Sequence, residues 1–138
     1  MKDSTQQWIY KAEGDYRSMV RESHVVENPN YDIVCFLSHQ CVEKLLKAIM
    51  IEEETEFLKI HDLQKLLRIV TPQHPELERL LPSLNKLSRL GVDVRYPYES
   101  AGPQEAAFAK VSCEEAREAI RSILGISHEA ETGAPFEK

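Results

Sequence analysis

Apolar positions along the chain recur at steps of three and four, the spacing of one face of an α-helix, and nowhere sustain the strict alternation of a half-buried strand flanked by hairpin turns. The pattern predicts a first helix from Ser4 to about Val25, with Trp8, Ala12, Tyr16 and Met19 along one stripe and Asn28-Pro29-Asn30 ending it. A second runs from about Asn30 to Ile51, and the acidic run Glu52-Glu53-Glu54 leads out of it into a loop. His61-Asp62 opens a short third helix, in which Leu63, Leu66, Leu67 and Val70 form an i, i+3, i+4, i+7 set that Thr71-Pro72 closes.

A fourth segment starts near Pro75 and carries Leu77, Leu80, Leu81, Leu84, Leu87 and Leu90 on one face. Pro82 falls inside that pattern and predicts a break, since proline removes a helix hydrogen bond, and Gly91 marks the expected end. The stretch with Gly102 and Pro103 reads mostly as loop. Ser112-Cys113-Glu114-Glu115 has the form of a capping box and predicts the start of a last helix, with Ala116, Ala119, Ile120, Ile123 and Leu124 inward and Gly125 as its stop. Helices joined mainly by short loops pack most simply as an antiparallel, up-and-down bundle of four to five helices, so the fold class is all-α. Residues 1–125 are expected to form this one domain and residues 126–138 a flexible tail.

The second helix carries an unusual face. At about 100° per residue, Val34, Cys35, Leu37, Cys41, Val42, Leu45, Leu46, Ala48 and Ile49 occupy one half of the cylinder. His39, Gln40, Glu43, Lys44 and Lys47 form a continuous polar stripe on the other, with Glu43 and Lys47 an i, i+4 ion pair in the favourable order. Ile33, Phe36 and Met50 lie in the same stripe. This mixture fits either a solvated surface or a face turned to a partner or ligand, and periodicity leaves both open.

Composition narrows the classes. With 138 residues, 42% hydrophobic and 29% charged, the chain is a globular domain rather than a disordered one. A net charge of −6 removes the long-range field that would draw in DNA non-specifically, so any nucleic-acid role needs a local basic site. Three cysteines, two of them about 240° apart on one helix, argue against a disulfide framework and for a reducing, cytoplasmic location. No metal-ligand spacing is present, no cofactor is indicated, and the first twenty residues lack the continuous apolar run of a signal or membrane span. The remaining candidate chemistry is Arg95-Tyr96-Pro97. The arginine could hold phosphate or carboxylate in bidentate fashion and the tyrosine could stack on a base. Equally, Arg95 could cap the carbonyls of the preceding helix while Tyr96 fills the core.

Taken in order, the Trp8-x3-Ala12-x2-Asp15-Tyr16 helix, the run Phe36-Leu37-Ser38-His39-Gln40-Cys41-Val42-Glu43-Lys44-Leu45-Leu46-Lys47-Ala48, His61-Asp62-Leu63, Arg95-Tyr96-Pro97 and the closing Glu114-Glu115-Ala116 helix resemble the HEPN family over residues 4–125. The resemblance implies a helical bundle, usually a homodimer, often coupled to a small nucleotidyltransferase of the MNT type in toxin–antitoxin pairs. Many members are metal-independent ribonucleases that carry an arginine and a histidine separated by four to six residues, one to hold the scissile phosphate and the other to move protons. This chain has Arg17…His24, Arg68…His74 and Arg121…His128, none of which includes Arg95. At the expected position near the last helix it has Arg95-Tyr96-Pro97-Tyr98-Glu99-Ser100 without the histidine.

The resulting expectation is a dimeric module that binds a nucleotide or RNA phosphate, with Arg95 on phosphate, Tyr96 stacking or shaping the pocket, His39, Glu43 and Lys47 lining the helix-2 side, and His61 and Asp62 bracing the turn. Arg95 and the mixed face should meet beside one depression. The alternatives are an endoribonuclease, with His39 and Arg95 as the catalytic candidates, and a purely structural helical partner.

Overall fold

The computed structural model describes residues 1–57 and 59–126, and every regular element among them is helical. The elements are α1 (Asp3–Ser23), α2 (Tyr31–Glu52), α3 (Leu63–Val70), a 3-10 turn at Pro75–Leu80, α4 (Leu81–Asp93) and α5 (Pro103–Leu124). The expected all-α bundle is therefore what forms. Residue 58 and residues 127–138, with His128 and nearly all of the expected tail, lie outside the described residues.

α2 is the axis of the molecule and touches each of the other four α-helices. Its start is set by Asn30, whose Oδ1 accepts from the Ile33 N–H at 3.0 Å and satisfies one of the orphan donors of the first turn. Val34, Cys35, Cys41, Val42, Leu45, Leu46, Ile49 and Met50 are all essentially inaccessible, so α2 is enclosed on nearly every side. The other end turns back sharply. Glu54 takes a left-handed φ of 55°, its N–H donates to the Ile51 carbonyl at 3.2 Å, and the Thr55 N–H donates to the Met50 carbonyl at 2.8 Å. This Schellman turn reverses the chain, and Phe57 and His61 beyond it lie back against α2 and its Lys47 and Glu43. Asp62 then starts α3, its Oδ1 accepting from the Gln64 and Lys65 N–H groups at 2.9 and 3.1 Å, and the Leu63 N–H is taken by Ser88 Oγ on α4.

Pro82 does break the leucine pattern. It falls in the first turn of α4, where its missing N–H has no partner to lose, and the residues before it form the 3-10 turn. Gly91, however, does not end the helix: α4 continues to Asp93 and Gly91 is buried inside it. A Cβ there would lie 2.6 to 2.7 Å from Cγ, Cβ and Cδ2 of His39, so this glycine exists for close approach to α2. The last helix also differs from expectation. α5 begins at Pro103, nine residues before Ser112, because Pro103 suits the first helical position and Glu105 Oε1 accepts from the Gly102 N–H at 2.9 Å. Ser112 is buried within the helix rather than capping it. Gly125, at φ 73°, closes α5 where the pattern placed its stop.

Candidate functional site

The polar stripe of α2 meets neither open water nor an open groove. His39, Glu43 and Lys47 are exposed by only 1%, 4% and 5%. They are covered by Gly91 of α4, by Trp8 of α1, and by Phe57 and His61 from between α2 and α3. The amphipathic assignment fails here because α2 is covered on that side too, so the stripe marks a buried ionic layer rather than a surface. Gln40 and Lys44 remain half-buried, and Lys44 pairs with Asp15 of α1 at 2.6 Å.

Glu43 is the centre of that layer. Its Oε2 accepts from Lys47 Nζ at 2.9 Å and from His61 Nδ1 at 2.8 Å. A carboxylate only accepts, so the proton of His61 sits on Nδ1, which leaves Nε2 of this mostly exposed ring pointing away from the carboxylate. Glu43 Oε1 lies 3.7 Å from His39 Nδ1, beyond hydrogen-bond range, and among the described residues neither ring nitrogen of His39 nor Oε1 finds a hydrogen-bond partner. Lys47 is held further by two rings, its Nζ lying 5.7 Å from the Trp8 centroid and 5.4 Å from that of Phe57. Trp8 and Phe57 meet edge to face at 6.0 Å.

Arg95 follows α4 and is exposed, its guanidinium 5.3 Å from the centroid of Phe36 on α2. Phe36, one of the three apolar members of the mixed stripe, is therefore the seat of the arginine. Burial holds His39 below its ordinary value near 6.5, Glu43 partly opposes this, and the positive charge of Arg95 adds to the depression. Arg95 and the α2 stripe thus lie close to each other, but not beside the shared depression expected of them, because His39 is sealed beneath while Arg95, His61 and Tyr96 reach the surface. Asp62 is engaged by backbone N–H groups and acts as a helix cap.

Two features were missed from sequence. Tyr98, exposed by 78%, stacks beside Tyr96 and carried no signal beyond its spacing. On the far side, the buried Glu13 of α1 is gripped by Arg117 Nε at 2.9 Å and Nη2 at 2.6 Å, with Arg121 Nη1 at 3.4 Å. Arg117 also lies 4.0 Å from the Tyr16 centroid, and Tyr16, whose hydroxyl donates to Glu114, is pushed up to about 12, chiefly by burial. Tyr16, Glu114, Arg117 and Arg121 line a cleft of about 440 Å³ between α1 and α5, with Glu13 buried behind them. The partners are about a hundred residues apart, so no local pattern reports them.

Chemically, the site offers an exposed guanidinium and a carboxylate-oriented imidazole, each near enough to His39 to act on it electrostatically. Among the described residues no group of three or more His, Cys, Asp and Glu side chains is arranged to hold a metal ion, and no helix is long and apolar enough to cross a membrane.

Removing one charge of the buried pair should be costly. Glu43→Gln leaves Lys47 buried without its counter-ion and is expected to lower stability by about 3 kcal/mol in urea unfolding, whereas Glu43→Gln with Lys47→Met should recover most of the loss. The His39 imidazole should titrate below its ordinary value in a proton–carbon NMR series, and Arg95→Ala should move that midpoint upward. Because the unfolded chain protonates this ring first, His39 removes stability as pH falls from about 7 toward its folded midpoint.

With the geometry in hand, comparison with known proteins is direct. The HEPN domain family profile matches residues 5–131, and the chain belongs to that family. The crystal structure of an archaeal HEPN homologue superposes with a TM-score of 0.67 at 20% identity, covering 87% of this chain and 97% of the other, a likeness of fold. A search of curated proteins finds no match.

Proposed function

We propose that this HEPN domain is a dimeric module that binds a nucleotide or RNA phosphate at Arg95, working beside a small nucleotidyltransferase in a toxin–antitoxin-like pair. The observation that carries the reading is the seating of Arg95 on Phe36. A phenyl ring holds no hydrogen-bond acceptor, so this contact positions the guanidinium and leaves its N–H donors for two oxygens of a phosphate. The ground beneath is rigid, since His39, Glu43 and Lys47 are locked by packing and ion pairing. A preorganised cation loses less freedom on binding than a flexible one. Tyr96 stands next to it and is 47% exposed, available for contact with a sugar or base.

Titration with AMP, ATP and short RNA tests this. Arg95→Ala should weaken the best of these ligands about tenfold, the loss of one charge-assisted contact, with Arg95→Lys intermediate because it keeps charge without the planar fork. Unchanged binding and unchanged association with a nucleotidyltransferase partner in Arg95→Ala would remove the assignment.

The Glu43–His61 pair favours a second reading, metal-independent RNA cleavage. His39 is too deeply buried to touch a substrate, but His61 Nε2 could take the proton of a 2′-hydroxyl as it attacks the adjacent phosphorus and return it to the leaving 5′-oxygen, while Arg95 balances the phosphorane charge. The expected result is RNA cleavage in EDTA that His61→Gln abolishes. Intact RNA with the wild-type protein leaves the binding reading alone.

A further inference from the structure

A recess between α1 and α2 lies apart from both Arg95 and the α1–α5 cleft and shares no lining residue with either. Its volume is about 390 Å³, a size common among small-molecule pockets, and it is lined by Gln7, Trp8, Tyr10 and Lys11 of α1 and by Lys44 of α2. Gln7, Tyr10 and Lys11 stand at i, i+3 and i+4 and so share one face of α1, with Trp8 at its edge near Lys47 of α2. The lining is mainly apolar, yet two ammonium groups border it.

The walls of this recess are held in place before any ligand arrives. The Trp8 indole is fixed from within, by Lys47 Nζ at 5.7 Å from its centroid and by the edge-to-face contact with Phe57 at 6.0 Å. Lys44 Nζ donates to Asp15 Oδ2 at 2.6 Å, and an ammonium with three donors keeps two more for another acceptor. Asp15 is also the i+4 neighbour of Lys11 on α1, but its ion pair is with Lys44. Lys11 is exposed and, among the described residues, forms no ion pair.

We propose that this recess binds a small aromatic carboxylate, with its flat apolar body against Trp8 and Tyr10 and its carboxylate at Lys11 and Lys44. The site is independent of the phosphate reading at Arg95. Aromatic and apolar lining with a few convergent polar groups suits a ligand that is apolar at one end and charged at the other. The local charge selects a single negative group. Lys11 offers one positive charge, whereas that of Lys44 is already balanced by Asp15, so a second negative charge on the ligand would face Asp15 uncompensated. A ligand seated there rests on the outer wall of the buried ionic layer, because Trp8 is the ring that covers Lys47 beside Glu43.

Trp8 is the chain's one tryptophan, so its indole N–H gives a single signal in a nitrogen–proton NMR spectrum and reports on this recess directly. The intact protein is titrated with naphthoate, with its neutral isostere naphthamide and with naphthyl phosphate. Naphthoate should shift the Trp8 signal saturably with a Kd on the order of 1 mM, the scale for a ligand of its size. Naphthamide should bind about fivefold more weakly, the effect of one solvent-exposed charge contact, and the phosphate ester no more tightly than the carboxylate. Lys11→Ala, at an exposed position, should weaken naphthoate by the same factor while leaving the spectrum of the free protein otherwise in place, and Lys11→Arg should retain the binding. A Trp8 signal that naphthoate does not move overturns the proposal, as do equal affinities for acid and amide that Lys11→Ala leaves unchanged. Tighter binding of naphthyl phosphate overturns the choice of a carboxylate.

Discussion

A carboxylate buried in the middle of the central helix is the constraint around which this side of the molecule is arranged. Glu43 is 4% exposed, and an ionised group so placed is tolerable only with partners that restore what water supplied. Lys47 comes from the same helix one turn later, but one cation at 2.9 Å satisfies one oxygen only in part. The second donor has to come from elsewhere, and it comes from His61, eighteen residues away in sequence at 2.8 Å. The chain after α2 must therefore return across the helix it has just left. The Schellman turn at Glu54 makes that reversal, and Phe57 on the way back joins Trp8 in walling off the ammonium group of Lys47.

The same constraint reaches α4. His39 lies one turn before Glu43 and is sealed only because Gly91 allows the α4 backbone against the imidazole, where even a methyl group would collide. Once α4 is pressed that close, its C-terminal end delivers Arg95 onto Phe36, one turn earlier again on α2. Buried charge, glycine contact and surface arginine thus follow one another along a single helix face. What is exposed at the end of that series is a guanidinium, and what is buried is the scaffold on which it rests.

Much of the fold was legible because it depends on local rules. The leucines of α3 and α4, the proline break at Pro82 and the terminal Gly125 each report on the few residues around them. The errors share a cause: a neighbour remote in sequence decided the outcome. Gly91 reads as a stop until His39 is placed beside it. Ser112-x-x-Glu115 reads as a capping box until Glu105 is seen reaching back to Gly102 and starting the helix nine residues earlier. The α2 stripe reads as surface, or as a partner-facing side, because amphipathicity assumes one covered face, whereas a helix at the centre of a bundle is covered on all of them. Around Arg95 the polar α2 stripe could be read from the sequence, but that His39 is buried and His61 exposed depends on how the elements remote in sequence cover α2.

The arginines of α5 and the arginine after α4 are held by different kinds of partner. The two arginines of α5 near the α1–α5 cleft lie against the buried Glu13, Arg117 through a bidentate grip and Arg121 at 3.4 Å, and Arg117 is additionally stacked on Tyr16. Their charge is spent holding α5 to α1 across the flank of α2, and the rim of that cleft adds Glu114 and Glu118. An anion entering there would displace a carboxylate already in place and meet two more. Arg95 is different in kind. Its neighbour is a phenyl ring rather than a carboxylate, so its charge is oriented without being neutralised, and among the described residues it forms no ion pair. Under the proposed reading, a cation held by packing against a ring rather than by an ion pair is what an incoming phosphate requires, and the junction of α4 with α2 supplies one.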